Sequence, residues 1–192
     1  MSHNEGTCNH SMPPEPWTTL SSRPIYRNPW ISLREDVAQL PDGRTTLYGV
    51  VHIGEAVGVL PFVDDDHVLL VRQYRYVFGE GQRWEMPTGG MKPGETREDA
   101  ARRELQEEIG YTAGRLEWIS TFYSSKSVCY EICHLYIGSG LSPAALPPDA
   151  TEFIETGVFA LRDVLEMVNT SEIRDAMTVI AVLHAARLRG MA

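Results

Sequence analysis

Three glutamates, Glu104, Glu107 and Glu108, stand at spacings that a helix turns into one cluster. At 3.6 residues per turn they fall within an arc of about 100°, and Ala101, Leu105 and Ile109 fill the adjoining arc. One face therefore packs on a sheet while its neighbour presents carboxylates at the edge of the buried layer. Like charges three and four residues apart oppose a helix by roughly a few tenths of a kcal/mol when exposed and more when desolvated, so a cation should compensate. Hard oxygen ligands gathered this way suit Mg²⁺, with Mn²⁺ as a substitute, ions that keep several waters and bind substrate phosphates as well. The competing reading of RRELQEE is a solvated, salt-bridged helical face.

The elements that must position these groups are legible on either side. Thr96 with Asp99 makes a capping-box-like start and Gly110 a stop, which predicts a helix over 97–109. Gly89, Gly90 and Gly94 allow a tight passage from strand to helix. Strand-like runs at 31–40 and 45–53 flank Pro41-Asp42-Gly43, a hairpin turn, and those at 56–62 and 68–76 flank Asp64-Asp65-Asp66. That aspartate trio reads as a solvated turn in preference to a metal site. Strands follow at 116–123, 128–137 and 153–159, and helical spacing over 161–168 and 173–188 closes the chain. By alternation Glu131 shares a strand face with Cys133, Leu135 and Ile137, which makes it a candidate further carboxylate or a plain edge-of-sheet residue. Arg72, three residues before Arg75, falls on the opposite face and reads as solvated or ion-paired.

The expected fold class is α/β (α+β), a mixed sheet sandwiched between helices with an N-terminal antiparallel β hairpin. Residues 1–24, punctuated by Pro13, Pro14, Pro16 and Pro24, read as a flexible arm, 25–54 as the hairpin region and 55–192 as the main domain. Cys8 with His3 and His10 can recruit a metal, and a disordered leader is the plainer reading.

Composition limits the function classes. Hydrophobic residues make up 43% and charged residues 22%, as in soluble globular proteins, and no apolar run spans a bilayer. The start lacks the apolar stretch of a secretory signal, so a cytoplasmic location is expected. A formal charge of −9 repels polyanions and argues against long nucleic acid, RNA decapping included. A small anionic substrate then needs metal ions and a few local cations. Cys8, Cys129 and Cys133 are odd in number and form no CxxC pair, and residues 129 and 133 of one strand lie about 13 Å apart, too far to bridge.

Over 89–111 the residues Gly89, Glu95, Arg103, Glu104, Leu105, Glu107, Glu108, Gly110 and Tyr111 match G-x5-E-x7-R-E-U-x-E-E-x-G-U, the Nudix box, with Tyr111 where a bulky aliphatic residue is usual. Seven fixed positions at roughly one in fifteen each recur by chance at about 10⁻⁶ over such a chain. The resemblance implies a loop-helix-loop whose metal ligands are Glu104, Glu107, Glu108 and the Thr88 carbonyl, with Glu107 and Glu108 catalytic, and with Gly89, Glu95, Arg103 and Gly110 as scaffold. Through NPWISLRED, LPDGRTTLYGVV, LLVRQYRY, WEMPTGG and FYSS…YEICHLYIG the chain also resembles the ADP-ribose and nucleoside-diphosphate-sugar pyrophosphatase branch, over about 25–188.

That branch implies a homodimer in which the hairpin packs on the partner subunit, Trp30 and Tyr48 as aromatics that sandwich the base, and Arg75 as a phosphate contact. For Trp30 an ordinary hairpin anchor is the alternative. Glu131 aligns with a glutamate that supplies a base or a metal ligand. The chain departs from the branch where FYPSPG and an Asp-Glu pair are usual and it reads FYSSKSVCYE, so that Ser124 and Lys126 replace two prolines and Tyr130 an aspartate. Lys126 either grips an anionic group of the substrate or is a solvated loop residue. The activity implied is hydrolysis of the diphosphate of ADP-ribose or an NDP-sugar to a nucleoside monophosphate and a sugar phosphate. The alternatives are another NDP-X (a GDP-sugar, a dinucleoside polyphosphate, an oxidised nucleotide) or a nucleotide sensor without turnover.

Overall fold

The computed structural model describes residues 15–147 and 153–191. His3, Cys8 and His10, read above as a metal-recruiting option, lie outside the described residues. The chain divides into two compact units between His52 and Ile53.

In the first unit β1 (Thr18–Arg27), β2 (Ser32–Gln39) and the first part of β3 (Thr45–Pro61) form an antiparallel array. The expected turn is present: Gly43 adopts φ +85°, its N–H donates to the Leu40 carbonyl at 3.0 Å, and the Arg44 N–H donates to Asp42 Oδ1 at 3.1 Å. The arm expected over 1–24 is corrected from Thr18 onward, where β1 pairs with β2. Every residue of β1 is exposed, so no alternation marked it as a strand. Pro24 is tolerated because β1 is an edge strand whose register shifts between Pro24 and Tyr26.

The second unit begins inside β3. The runs read as separate strands at 45–53 and 56–62 are one strand, in which Gly54 takes φ +114° as a local irregularity that only glycine adopts readily. Beside this part of β3 lie β6 (Thr88–Gly90) and β8 (Cys129–Pro143), with β7 (Tyr111–Tyr123) beyond β8. A second sheet has the order β5 (Glu80–Glu85), β4 (His67–Arg75), β9 (Glu155–Ala160). The hairpin expected between 56–62 and 68–76 is therefore corrected to one bridge, Phe62 with Val68, after which the two strands join different sheets. Pro61 has no N–H with which to extend a ladder there. β5 carried no apolar alternation and was not foreseen.

Three helices complete the unit: α1 (Arg97–Glu108), α2 (Leu161–Asn169) and α3 (Ala176–Leu188). The last starts three residues later than expected, because Asp175 caps it by accepting from the Thr178 N–H at 2.8 Å. Neighbouring strand residues face opposite ways. Val59, Leu69, Val71 and Tyr136 pack with Ala101 and Leu105 of α1, whereas Leu60, Leu70 and Leu135 pack with Val164 of α2 and Ala181 of α3. The runs GVLPF and VLLV are apolar throughout because both faces are covered. The strand layer thus lies between helices as expected, divided into two sheets.

Candidate active site

Thr96 sits at the N-cap of α1 in extended conformation, its Oγ1 accepting from the Asp99 N–H at 3.1 Å and donating to Asp99 Oδ2 at 2.7 Å. Gly94 before the helix and Gly110 after it both take positive φ, +81° and +75°. Between them Arg103 organises the acidic face. Its Nε and Nη2 donate to the two Glu95 oxygens at 2.7 and 2.9 Å, Nη1 to Glu104 Oε1 at 2.6 Å and Glu107 Oε2 at 2.8 Å, and Nη2 also to the Gly90 carbonyl at 2.9 Å. Lys92 Nζ adds a contact to Glu107 Oε1 at 3.4 Å. The Arg103 hydrogen bond holds the Glu95 carboxyl at about 2, far below its usual range, and the same carboxylates push the Arg103 guanidinium upward.

Glu104 and Glu108 are buried, with 8% and 7% of their surface exposed. A Cβ at Gly89 would run into the Glu104 carboxylate, so glycine here leaves that side chain room to lie on β6. The ladder between β6 and β3 also orients Thr88. The Met91 N–H donates to the Glu55 carbonyl and the Val59 N–H to the Pro87 carbonyl. With Val57 opposite Gly89 in that register, Thr88 and Gly90 belong to the outward-turned pairs. Their carbonyls leave β3 on the same side, and the Gly90 carbonyl is the one that Arg103 reaches.

This donor set fits a hard divalent cation. Carboxylates and a strand carbonyl are the oxygen ligands such ions take, and two of the carboxylates are desolvated. Among the described residues no three acidic, histidine or cysteine side chains already converge on one point, since Arg103 draws Glu104 and Glu107 to itself.

Arg75, at the end of β4, pairs with Glu85 of β5 at 2.6 Å. Burial pulls its guanidinium down, but Glu85, by hydrogen bond and charge, and then Glu108 and Asp175, hold it above its ordinary value. Arg75 and Glu85 border a cleft of about 580 Å³ that Phe78, Arg83, Trp84, Arg174 and Asp175 also line, within the volume range of small-molecule sites. Burial, and then the charges of Glu131 and Asp175, push the Cys133 thiol up to about 12, so Glu131 and Asp175 belong to the same neighbourhood. Lys126 is exposed in the turn between β7 and β8. Arg72 is ion-paired with Glu155 at 2.6 Å, one of the two readings made for it.

Three participants were not foreseen. Glu85 and Asp175 meet Arg75 only through tertiary contact, although Asp175 with Thr178 carried the signal of a helix cap. The third is Glu55, whose Oε2 lies 2.7 Å from Nε2 of the wholly buried His134, while the other ring nitrogen lies 2.9 Å from Thr121 Oγ1. The His134 hydrogen bond lowers the Glu55 carboxyl.

In the first unit Asn28 Oδ1 accepts from the Trp30 and Ile31 N–H groups at 2.9 and 2.7 Å, a local turn that presents the Trp30 ring with 77% of the residue exposed. Tyr48 is half-buried, and its ring meets Trp17 edge-on at 6.1 Å, so Trp17 is a further aromatic beside the residues singled out.

Residues 52–178 match the NUDIX domain family and residues 17–51 the nucleoside diphosphate sugar hydrolase N-terminal domain. An ADP-ribose pyrophosphatase of Bacillus subtilis (strain 168) is 34% identical over 168 residues, covering 86% of this chain and 90% of the relative. A methanol dehydrogenase activator of Bacillus methanolicus is 33% identical with the same coverage. A solved structure of an ADP compounds hydrolase shares the fold, with a TM-score of 0.83 at 23% identity over 95% of this chain and 100% of that one. The box, its loop-helix geometry and these likenesses together show that the chain belongs to the Nudix hydrolase superfamily, in its branch of ADP-ribose and nucleoside-diphosphate-sugar pyrophosphatases.

Proposed function

We propose that the protein hydrolyses the diphosphate of ADP-ribose or an NDP-sugar, releasing a nucleoside monophosphate and a sugar phosphate, with Mg²⁺ as cofactor and Mn²⁺ able to replace it. The observation that carries this reading is the joint placement of opposite charges. The Glu104 carboxylate of α1 lies against β6, Glu108 is buried one turn further on, and Arg75, in the field of Glu108, opens onto the cleft. Glu104, Glu107, Glu108 and the Thr88 carbonyl would hold the cation. When bound, it supplies charge neutralisation at the diphosphate and a lowered pKa of water. Arg75 grips phosphate oxygens with its planar fork, for which Glu85 fixes the orientation. Glu131 positions or deprotonates the attacking water, with Glu107 and Glu108 as the other candidates. Gly89, Glu95, Arg103 and Gly110 hold the loop against the helix.

A panel of ADP-ribose, GDP-mannose, UDP-glucose, NADH and diadenosine polyphosphates, with phosphate release coupled to alkaline phosphatase, tests the substrate class. ADP-ribose or an NDP-sugar should rank first, and preference for a dinucleoside polyphosphate would contradict the reading. In the same panel Lys126→Ala should raise KM for the best substrate by about ten-fold, with kcat less affected, if the ammonium binds ground state and transition state alike. An unchanged KM would make Lys126 ordinary surface.

A homodimer belongs to this proposal. The first unit exposes Trp17, Leu20, Ile25, Tyr26, Trp30 and Leu47, an apolar surface of the kind that association covers. Light scattering should give about 43 kDa, twice the 21.5 kDa chain mass, and a fully active species of single-chain mass would refute the assembly.

A further inference from the structure

Gln73 lies in β4 with only 6% of its surface exposed, and its side-chain Nε2 is buried without a hydrogen-bond partner among the described residues. An unsatisfied amide inside a protein destabilises the fold unless water or a ligand completes it, so its surroundings show what it serves. Strand parity puts Gln73 on the face of Leu69 and Val71, both packed in the apolar cluster under α1. Glu85 lies across the ladder from Val71 and bonds Arg75, so these two charged groups share that face.

On α1 the row that meets this face runs Ala101, Leu105, Glu108. The first two belong to the same cluster, and the third is buried as well. Glu108 contributes to the field on Arg75, two residues beyond Gln73, which fixes the direction in which the helix row lies over the strand row. The Gln73 amide therefore faces the Glu108 end of α1, between an apolar seat and the charged groups.

We infer that Gln73 is a positioning residue for the cation site, its Nε2 donating toward the Glu108 carboxylate through an ordered water. We take the bridge to be a water because the Gln73 Nε2 has no direct bond among the described residues and a water can join two polar groups. An uncharged donor orients the carboxylate and leaves its negative charge for the cation, whereas a guanidinium at the same place would compete for it. Outer partners of this kind typically change metal affinity by about ten- to a hundred-fold.

The inference rests on the cation reading above, and the test separates the two. Free Mn²⁺ is measured by electron paramagnetic resonance in titrations of the full chain without substrate, for wild type, Gln73→Leu and Gln73→Met, with thermal melts alongside. Both variants keep the volume and lose the amide, and if one fails to fold the other is read. The expected result is wild-type binding, about ten-fold weaker binding in the variant, and an unchanged melting temperature, since both variants keep the packing volume. Binding as tight as wild type overturns the role of Gln73 and leaves the cation site standing. Weaker binding together with a lowered melting temperature, or failure of both variants to fold, assigns Gln73 to packing and overturns it too. A wild type that binds no Mn²⁺ removes the cation site and this inference with it.

Discussion

Replacing Glu108 with glutamine should lower kcat by at least about 10²-fold, equivalent to about 2.7 kcal/mol of lost transition-state stabilisation. Glutamine keeps the shape and removes the charge, so the fold is retained while a ligand is lost. The effect should be large because Glu108 is buried, where the attraction between its carboxylate and the cation is least screened. Glu107→Gln should fall in the same range if its carboxylate leaves Arg103 and Lys92 to join the cation. Steady-state kinetics at saturating substrate read both, and near-normal turnover in the pair would sink the assignment of the carboxylates.

Arg103→Leu should destabilise the second unit by about 3 kcal/mol or more, because it leaves Glu95, Glu104 and Glu107 facing one another without their cation. For a chain of this length that corresponds to a fall in Tm of roughly 6 to 12 °C. The pH dependence gives a sharper signature. The folded Glu95 carboxyl sits at about 2 against an ordinary 4.5, so its contribution to stability is complete above 4.5 and is lost as pH falls toward 2. Wild-type melts should therefore decline through that window, while the Arg103→Leu protein, with Glu95 no longer paired, should give a flatter profile there. Parallel profiles for the two would show that the ion pair does not carry this dependence.

The central helix was legible because several local rules agree on it: a threonine cap, a glycine stop, and carboxylates and apolar residues on adjoining arcs. The ion pair of Glu95 with Arg103, implied by the box, is present; its extension to Glu104, Glu107 and the Gly90 carbonyl was not readable, since it depends on the loop folding back over the helix. β1 was hidden because a strand exposed on both faces has no reason to alternate. The partners of Arg75 and His134 were hidden for another reason. Glu85 and Glu55 come from other strands, the second lying 79 residues from His134 in the chain, and alternation says which face a residue takes but not what packs against it. Gln73 shows the same limit: within LLVRQYR it is one polar residue of a strand, and only burial reveals its unsatisfied amide.

Phosphorus-31 NMR of ADP-ribose and each NDP-sugar of the panel, incubated with the full chain and Mg²⁺, tests cation-assisted diphosphate hydrolysis most directly. For at least one of these substrates the diphosphate resonances should give way to those of two phosphomonoesters, a nucleoside monophosphate and a sugar phosphate. EDTA should halt the conversion and added Mg²⁺ or Mn²⁺ restore it. Diphosphate signals that persist for all of them with Mg²⁺ present, or conversion that continues unchanged in EDTA, would contradict the account.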